Sequence, residues 1–226
     1  VGAKRREEAS HCIGNTVTLF MVLSVVLASV LVMCVRPIVG LVSTPAEAVE
    51  GTVTYLTICF AGIPFITAYN IISSIFRGLG DSKSPMYFIA VACAANIVLD
   101  YLFMGAMHLG PAGAALGTML SQAVSVAISL WVILHRKDGG VSVRKTDFRP
   151  NKPVISRIFS IGLPVALQDG LIQVSFIIIT IIANRRGLTD AAAVGIVEKI
   201  ISFLFLIPSS MLSTVSALGA QNIGAG

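Results

Sequence analysis

Charge is scarce in this sequence. Of its 226 residues only 12% are Asp, Glu, Lys or Arg, about half the share of an ordinary soluble domain, and that scarcity excludes a globule with a water-facing surface. Cysteine is sparse too. Cys12, Cys34, Cys59 and Cys93 are scattered without a CxxC pair, three of them within apolar runs, so they are expected to act as small hydrophobes rather than as disulfides or metal ligands. No HExxH or GxSxG signature is present, and His11, His108 and His135 fall at the ends of expected helices. An enzyme is therefore not expected, nor is a cofactor. Neither the alternation of a β-barrel nor a heptad repeat runs through the chain, which removes barrel and coiled coil.

Apolar residues fill the space that charge leaves, at 55% of the chain with a mean hydropathy of +0.89. Crossing a bilayer core of about 30 Å takes roughly 20 apolar residues. Six such runs occur, near 15–35, 53–76, 86–107, 112–134, 155–183 and 191–215. A helix satisfies its own backbone hydrogen bonds in lipid, so the expected fold is an all-α membrane protein, a polytopic bundle of six transmembrane helices. The opening "VGAKRREEA" has no signal-peptide pattern, and the chain is expected to be internal to a longer one.

Basic residues orient the bundle. With residues 1–12 and 135–154 cytoplasmic, Lys4, Arg5, Arg6, Arg77, Lys83, Arg136, Lys137, Arg144, Lys145, Arg149, Lys152 and Arg157 lie inside, and Arg36, Arg185 and Arg186 lie outside. That asymmetry follows the positive-inside rule. The remaining base, Lys199, is long enough to snorkel to the outer interface. The net charge of +5 is then a matter of topology, and nucleic acid is not an expected partner. The widest cytoplasmic loop, "HRKDGGVSVRKTDFRPNKP", divides four spans from two. We therefore expect residues 1–140 to belong to one lobe, 141–154 to be the inter-lobe loop, and 155–226 to open a second lobe.

"FRGLGDSKSPM", from Phe76 to Met86, joins the second and third runs. Gly78, Gly80 and Asp81 suit a tight turn, Ser84 an N-cap and Pro85 the first helical position; Arg77 and Asp81 are placed to pair. A phosphate-binding loop is not expected, because the glycine before the lysine is absent and no strand precedes it. "NIVLD" follows within the next run, and then "GPAGAALGT", which sets Gly113 and Gly117 four apart on one helical face, a spacing that lets two spans approach closely.

Asp100, at the end of "NIVLD", lies 15 residues after Pro85, about 22 Å along a helix and so past the bilayer midplane. A carboxylate there is costly unless it is paired, faces a wet cavity or takes up a proton. Asn96, one turn below, shares its face and offers an amide. Together they make part of an oxygen cage for sodium or a proton; the plainer alternative is that they hold helices together.

In order and spacing, "FRGLGDSKSPM", "NIVLD" and "GPAGAALGT" resemble the multidrug and toxic compound extrusion (MATE) family. The resemblance spans essentially the whole chain and implies helices three to eight of a twelve-helix, two-lobe transporter. Its opening "VGAKRREEA" and closing "AQNIGAG", 222 residues apart from Gly2 to Gly224, are similar to equivalent loops of the two lobes. Ser82 and Ser84 stand where the family pattern has threonines. The resemblance implies that Asn96 and Asp100 belong to a cation site of the first lobe, with Tyr55, Thr118 and Asn70 as further members of the polar pocket; an interface tyrosine and a packing threonine are the alternatives for Tyr55 and Thr118. Gln122, Gln168, Asp169 and Gln173 are candidate cavity-lining residues, and Pro64 and Pro164 candidate bending points.

The expected function is secondary active efflux of small organic, often cationic, compounds in exchange for sodium ions or protons, by a plasma-membrane protein that is monomeric at full length and meets membrane lipid. A flippase for lipid-linked oligosaccharides would want a more basic cavity than these spans supply. A non-transporting membrane scaffold is the remaining alternative.

Overall fold

A computed structural model describes residues 6–41, 48–135 and 145–225. Among these residues every regular element is helical: α1 (Arg6–Met33), α2 (Val35–Leu41), α3 (Val49–Ala61), α4 (Ile63–Gly78), α5 (Lys83–Asp100), a π-helical segment (Tyr101–Ala106), α6 (Gly110–His135), a 3-10 turn (Lys145–Phe148), α7 (Lys152–Arg186), α8 (Leu188–Leu204) and α9 (Leu206–Ala225). Six helical stretches are long and apolar enough to cross a membrane: Glu7–Met33, Val49–Gly78, Lys83–Ala106, Gly110–Ile133, Lys152–Ala183 and Ala193–Ala225. They coincide with the six apolar runs. The protein is a multi-pass, all-helical membrane protein.

Proline explains where the spans break. Having no N–H, it frees the carbonyl four residues before it and crowds that turn. Pro37 does this to Met33, and α1 ends there; Pro208 does it to Leu204, and α8 ends there. Pro64 lies in the first turn of α4, just past the break at Gly62. Pro164, expected to loosen its span in the same way, lies within an unbroken α7.

The chain divides into two compact units, one running to Pro150 and the other beginning at Asn151. In the first, α6 packs against α3, α4 and α5. The apolar core gathers Ile72 and Phe76 of α4, Phe88 of α5 and Val126 of α6, with the two phenyl rings edge-to-face at 5.5 Å. Two hydroxyls tie this core to the backbone: Tyr69 donates to the Pro85 carbonyl (3.2 Å) and Ser125 to that of Phe88 (3.1 Å).

The turn between α4 and α5 closes differently from expectation. Gly80 has φ 89°, the Asp81 N–H reaches the Phe76 carbonyl (2.9 Å) and the Gly80 N–H reaches that of Arg77 (3.0 Å). This is a Schellman C-cap, and glycine supplies the left-handed residue without steric cost. Asp81, not Ser84, then caps α5: its carboxylate accepts the N–H groups of Lys83 (3.2 Å) and Ser84 (3.0 Å) and the Ser84 hydroxyl (2.7 Å). A charged acceptor aimed at the free N–H groups of a helix start outcompetes a neutral hydroxyl. α5 consequently begins at Lys83, ahead of Pro85. Arg77 turns to its own helix instead, donating to the hydroxyls of Ser73 (2.6 Å) and Ser74 (3.2 Å).

In the second unit α7 packs along α8, and α8 against α9. Ala183 is the one buried apolar residue there among the described residues.

Candidate functional site: an intramembrane carboxylate between α5 and α6

Asp100 is the last residue of α5, and the helix widens immediately after it into the π segment. Met107 N–H bonds the Leu102 carbonyl, five residues back (2.9 Å). Such π turns leave backbone carbonyls less tightly engaged and recur at functional sites. The carboxylate is half-buried and rests on α6, where Gly117 meets it. A Cβ on Gly117 would collide with Asp100 Oδ1 and would stand 3.3 Å from its Cγ. One turn earlier, a Cβ on Gly113 would stand 3.1 Å from both the carbonyl carbon and the Cβ of Phe103 in the π segment. The four-residue glycine spacing therefore does what it was expected to do, letting α5 and its π extension lie directly on the α6 backbone.

Asn96, one turn before Asp100 and also half-buried, points its Nδ2 at Asp100 Oδ1 over 3.5 Å. That contact is at the long limit of a hydrogen bond, so the carboxylate is oriented by its neighbour without being saturated. What the two residues bring to one helical face is a carboxylate with two oxygens and a side-chain amide whose N–H faces it. Oxygen ligands of this kind accept a hard cation, and the carboxylate alone accepts a proton.

The other expected residues are placed less closely. Thr118, beside Gly117, is exposed and donates to the Ala114 carbonyl of its own helix (3.0 Å). Tyr55 is exposed on α3 and engages Cys59, one turn along. Asn70 is exposed and donates to the Ile66 carbonyl (2.9 Å). Among the described residues none of these three hydrogen-bonds Asp100. Gln122 is half-buried on α6. Gln168, Asp169 and Gln173 belong to the second unit, where all three are exposed on α7.

Two features escape a reading of the sequence alone. Ser121, Ser125 and Ser129 form a buried polar line along α6; their four-residue spacing was the available signal. Glu198 of α8 accepts the Thr180 hydroxyl of α7 at 2.9 Å. No local pattern announces a partner on another helix.

The family model described as MatE matches residues 1–102 and 164–226. The chain belongs to the MatE family. Among curated relatives, this MatE chain is 34% identical over 186 residues to "Probable multidrug resistance protein YpnP" of Bacillus subtilis (strain 168), covering 82% of this chain and 41% of the relative. It is 25% identical over 222 residues to "Multidrug export protein MepA" of Staphylococcus haemolyticus (strain JCSC1435), covering 98% and 49%. The chain thus spans about half the length, or less, of the curated relatives it matches. In fold it is similar to the solved structure "Crystal structure of MATE in complex with MaD3S", with a TM-score of 0.91 and 23% identity, covering 99% of this chain and 51% of that one.

Proposed function

We propose that this chain is the helix-three-to-helix-eight portion of a twelve-helix MatE transporter of the plasma membrane. The complete protein exports small organic, often cationic, compounds in exchange for sodium ions or protons, with its inter-lobe loop on the cytoplasmic side. The observation that carries the reading is the seat of Asp100: an acid inside a span, pressed onto the glycine backbone of the neighbouring helix and followed by a π turn. A carboxylate in an apolar span is a strong constraint on how the two helices lie together, and its neutralisation relaxes that constraint.

In this mechanism Asp100 takes up a sodium ion or a proton from the outer side, Asn96 orients it, and the loss of charge lets α5 and its π extension shift against α6. That shift changes which side the first lobe opens to, and release of the cation on the other side resets it. Tyr55 and Thr118 contribute hydroxyls to the pocket once it is loaded. Names such as multidrug export protein among the relatives support the substrate class.

The test is efflux of a fluorescent organic cation from proteoliposomes holding the full-length protein, under an imposed sodium or proton gradient, with Asp100→Asn beside wild type. The expected outcome is abolished gradient-driven efflux in a variant that still folds, and the gradient that drives the wild type names the ion. Undiminished efflux would leave Asp100 as a packing residue. A full-length protein that moves nothing under either gradient would favour a scaffold.

A further inference from the structure

The N-terminal part of α1 holds a polar face that lies outside the proposed cation site. His11, Gly14, Asn15 and Thr18 recur at the spacing that puts them on one side of a helix, and all four meet the 3-10 turn Lys145–Phe148, about 130 residues later in the chain. Asn15 is 1% exposed. Its Nδ2 donates to the Asp147 carbonyl (3.2 Å) and to the His11 carbonyl of its own helix (2.9 Å). The Thr18 hydroxyl is shared between the carbonyls of Gly14 and Phe148, each at 3.0 Å. His11 Nδ1 lies 3.1 Å from Asp147 Oδ1, and that carboxylate is buried although it belongs to a loop. At Gly14 a Cβ would collide with the Asp147 carbonyl and stand 3.0 Å from its Cβ. Side chain, backbone and an absent side chain all serve one contact, whereas connecting loops ordinarily run free over the surface.

We propose that Lys145–Phe148 is a latch: seated on α1, it holds this 3-10 turn fixed and confines the hinge that leads into α7 to Arg149, Pro150 and Asn151. The chain from Lys145 to Phe148 is then not a slack tether. Movement of the cytoplasmic end of α1 passes through the latch into the strand of chain that enters α7, so the interface between Asp147 and α1 governs how fast the lobes rearrange. The latch stands on its own contacts and goes beyond the transport reading. Its primary readout needs no transport.

Hydrogen–deuterium exchange on the full-length protein in nanodiscs tests it, comparing wild type with Gly14→Val and Asn15→Ala. Released from its seat, the peptide spanning 146–150 is expected to exchange about tenfold faster, the loss of one to two hydrogen bonds' worth of protection, while the peptides of α5 and α6 keep their wild-type rates. Unchanged exchange of the loop in both variants would overturn the latch. Should Gly14→Val lose protection throughout, Thr18→Val, which exchanges one half-buried hydroxyl for a methyl, decides on the same peptide. Efflux turnover in proteoliposomes is expected to change by about threefold with substrate affinity unmoved, the mark of a rate-setting conformational step. Faster loop exchange with identical turnover would overturn the hinge role.

Discussion

The two units of this protein use the same helical material to different ends. In the unit that runs to Pro150, helices meet through phenylalanine rings, serine hydroxyls and bare glycine backbone, so that Phe76, Phe88, Ala115 and Ser125 are each 4% exposed or less. In the unit from Asn151 onward, two long spans lie together and nearly every described side chain is exposed. The difference is one of contact, since both regions are equally apolar. Lipid tails are as oily as leucine, so helices associate in a bilayer only where shape and hydrogen bonds fit. α6 offers such a fit, with Gly113 and Gly117 on one face and Ser121, Ser125 and Ser129 along its length. α7 leaves Gly162 and Gly170 in open space, so neither glycine brings a neighbouring backbone close.

Two paired substitutions and one single one sharpen or break this contrast, each measured by thermal unfolding of the detergent-solubilised full-length protein. The largest effect belongs to the aromatic core. Phe88→Ala should cost about 3 kcal/mol, because the ring leaves a cavity between α4, α5 and α6, while Phe203→Ala, at a position 72% exposed, should cost far less. Equal losses would erase the contrast and show that α8 is covered in the complete protein.

Glycine comes next, and there the sign should differ. Gly117→Ala drives a methyl into the Asp100 carboxylate and should destabilise by about 2 kcal/mol through overpacking. Gly170→Ala meets nothing within 4 Å and should stabilise α7 by up to about 1 kcal/mol through helix propensity. A neutral Gly117→Ala would mean that α5 and α6 sit further apart than described. The smallest effect tests a polar tie between α7 and α8. Thr180→Val removes the hydroxyl that Glu198 accepts and should cost about 0.6 kcal/mol, the usual worth of an interhelical hydrogen bond in a membrane; a loss of several times that would make Glu198 a centre of the second unit's stability.

How much could be read beforehand differs from residue to residue. Asp100 was legible because a charge in an oily run has few inexpensive explanations. The glycine pair was legible as a close approach, but not as the floor beneath Asp100, since spacing names a face and never its occupant. The turn at "FRGLGDSKSPM" was legible as a turn, yet its cap was misassigned: both Asp81 and Ser84 suit the role, and only the relative positions of the N–H groups decide between them. The breaks at Cys34 and Phe205 follow from Pro37 and Pro208 by a purely local rule and were open to inference; Pro164, obeying the same rule on paper, sits in a continuous helix.

The amino-acid sequence by itself determined six membrane-spanning helices, because hydropathy and backbone hydrogen bonding in lipid are local properties summed over about 20 residues. It also determined which span carries the acid Asp100. The tertiary structure alone decided what each polar group touches: Asp100 against Gly117, Thr180 against Glu198, and the linker's Asp147 against the face of α1 built from His11, Gly14, Asn15 and Thr18. Such contacts join residues far apart in the chain, and the energy of a hydrogen bond or a close backbone approach depends on a distance that only packing sets.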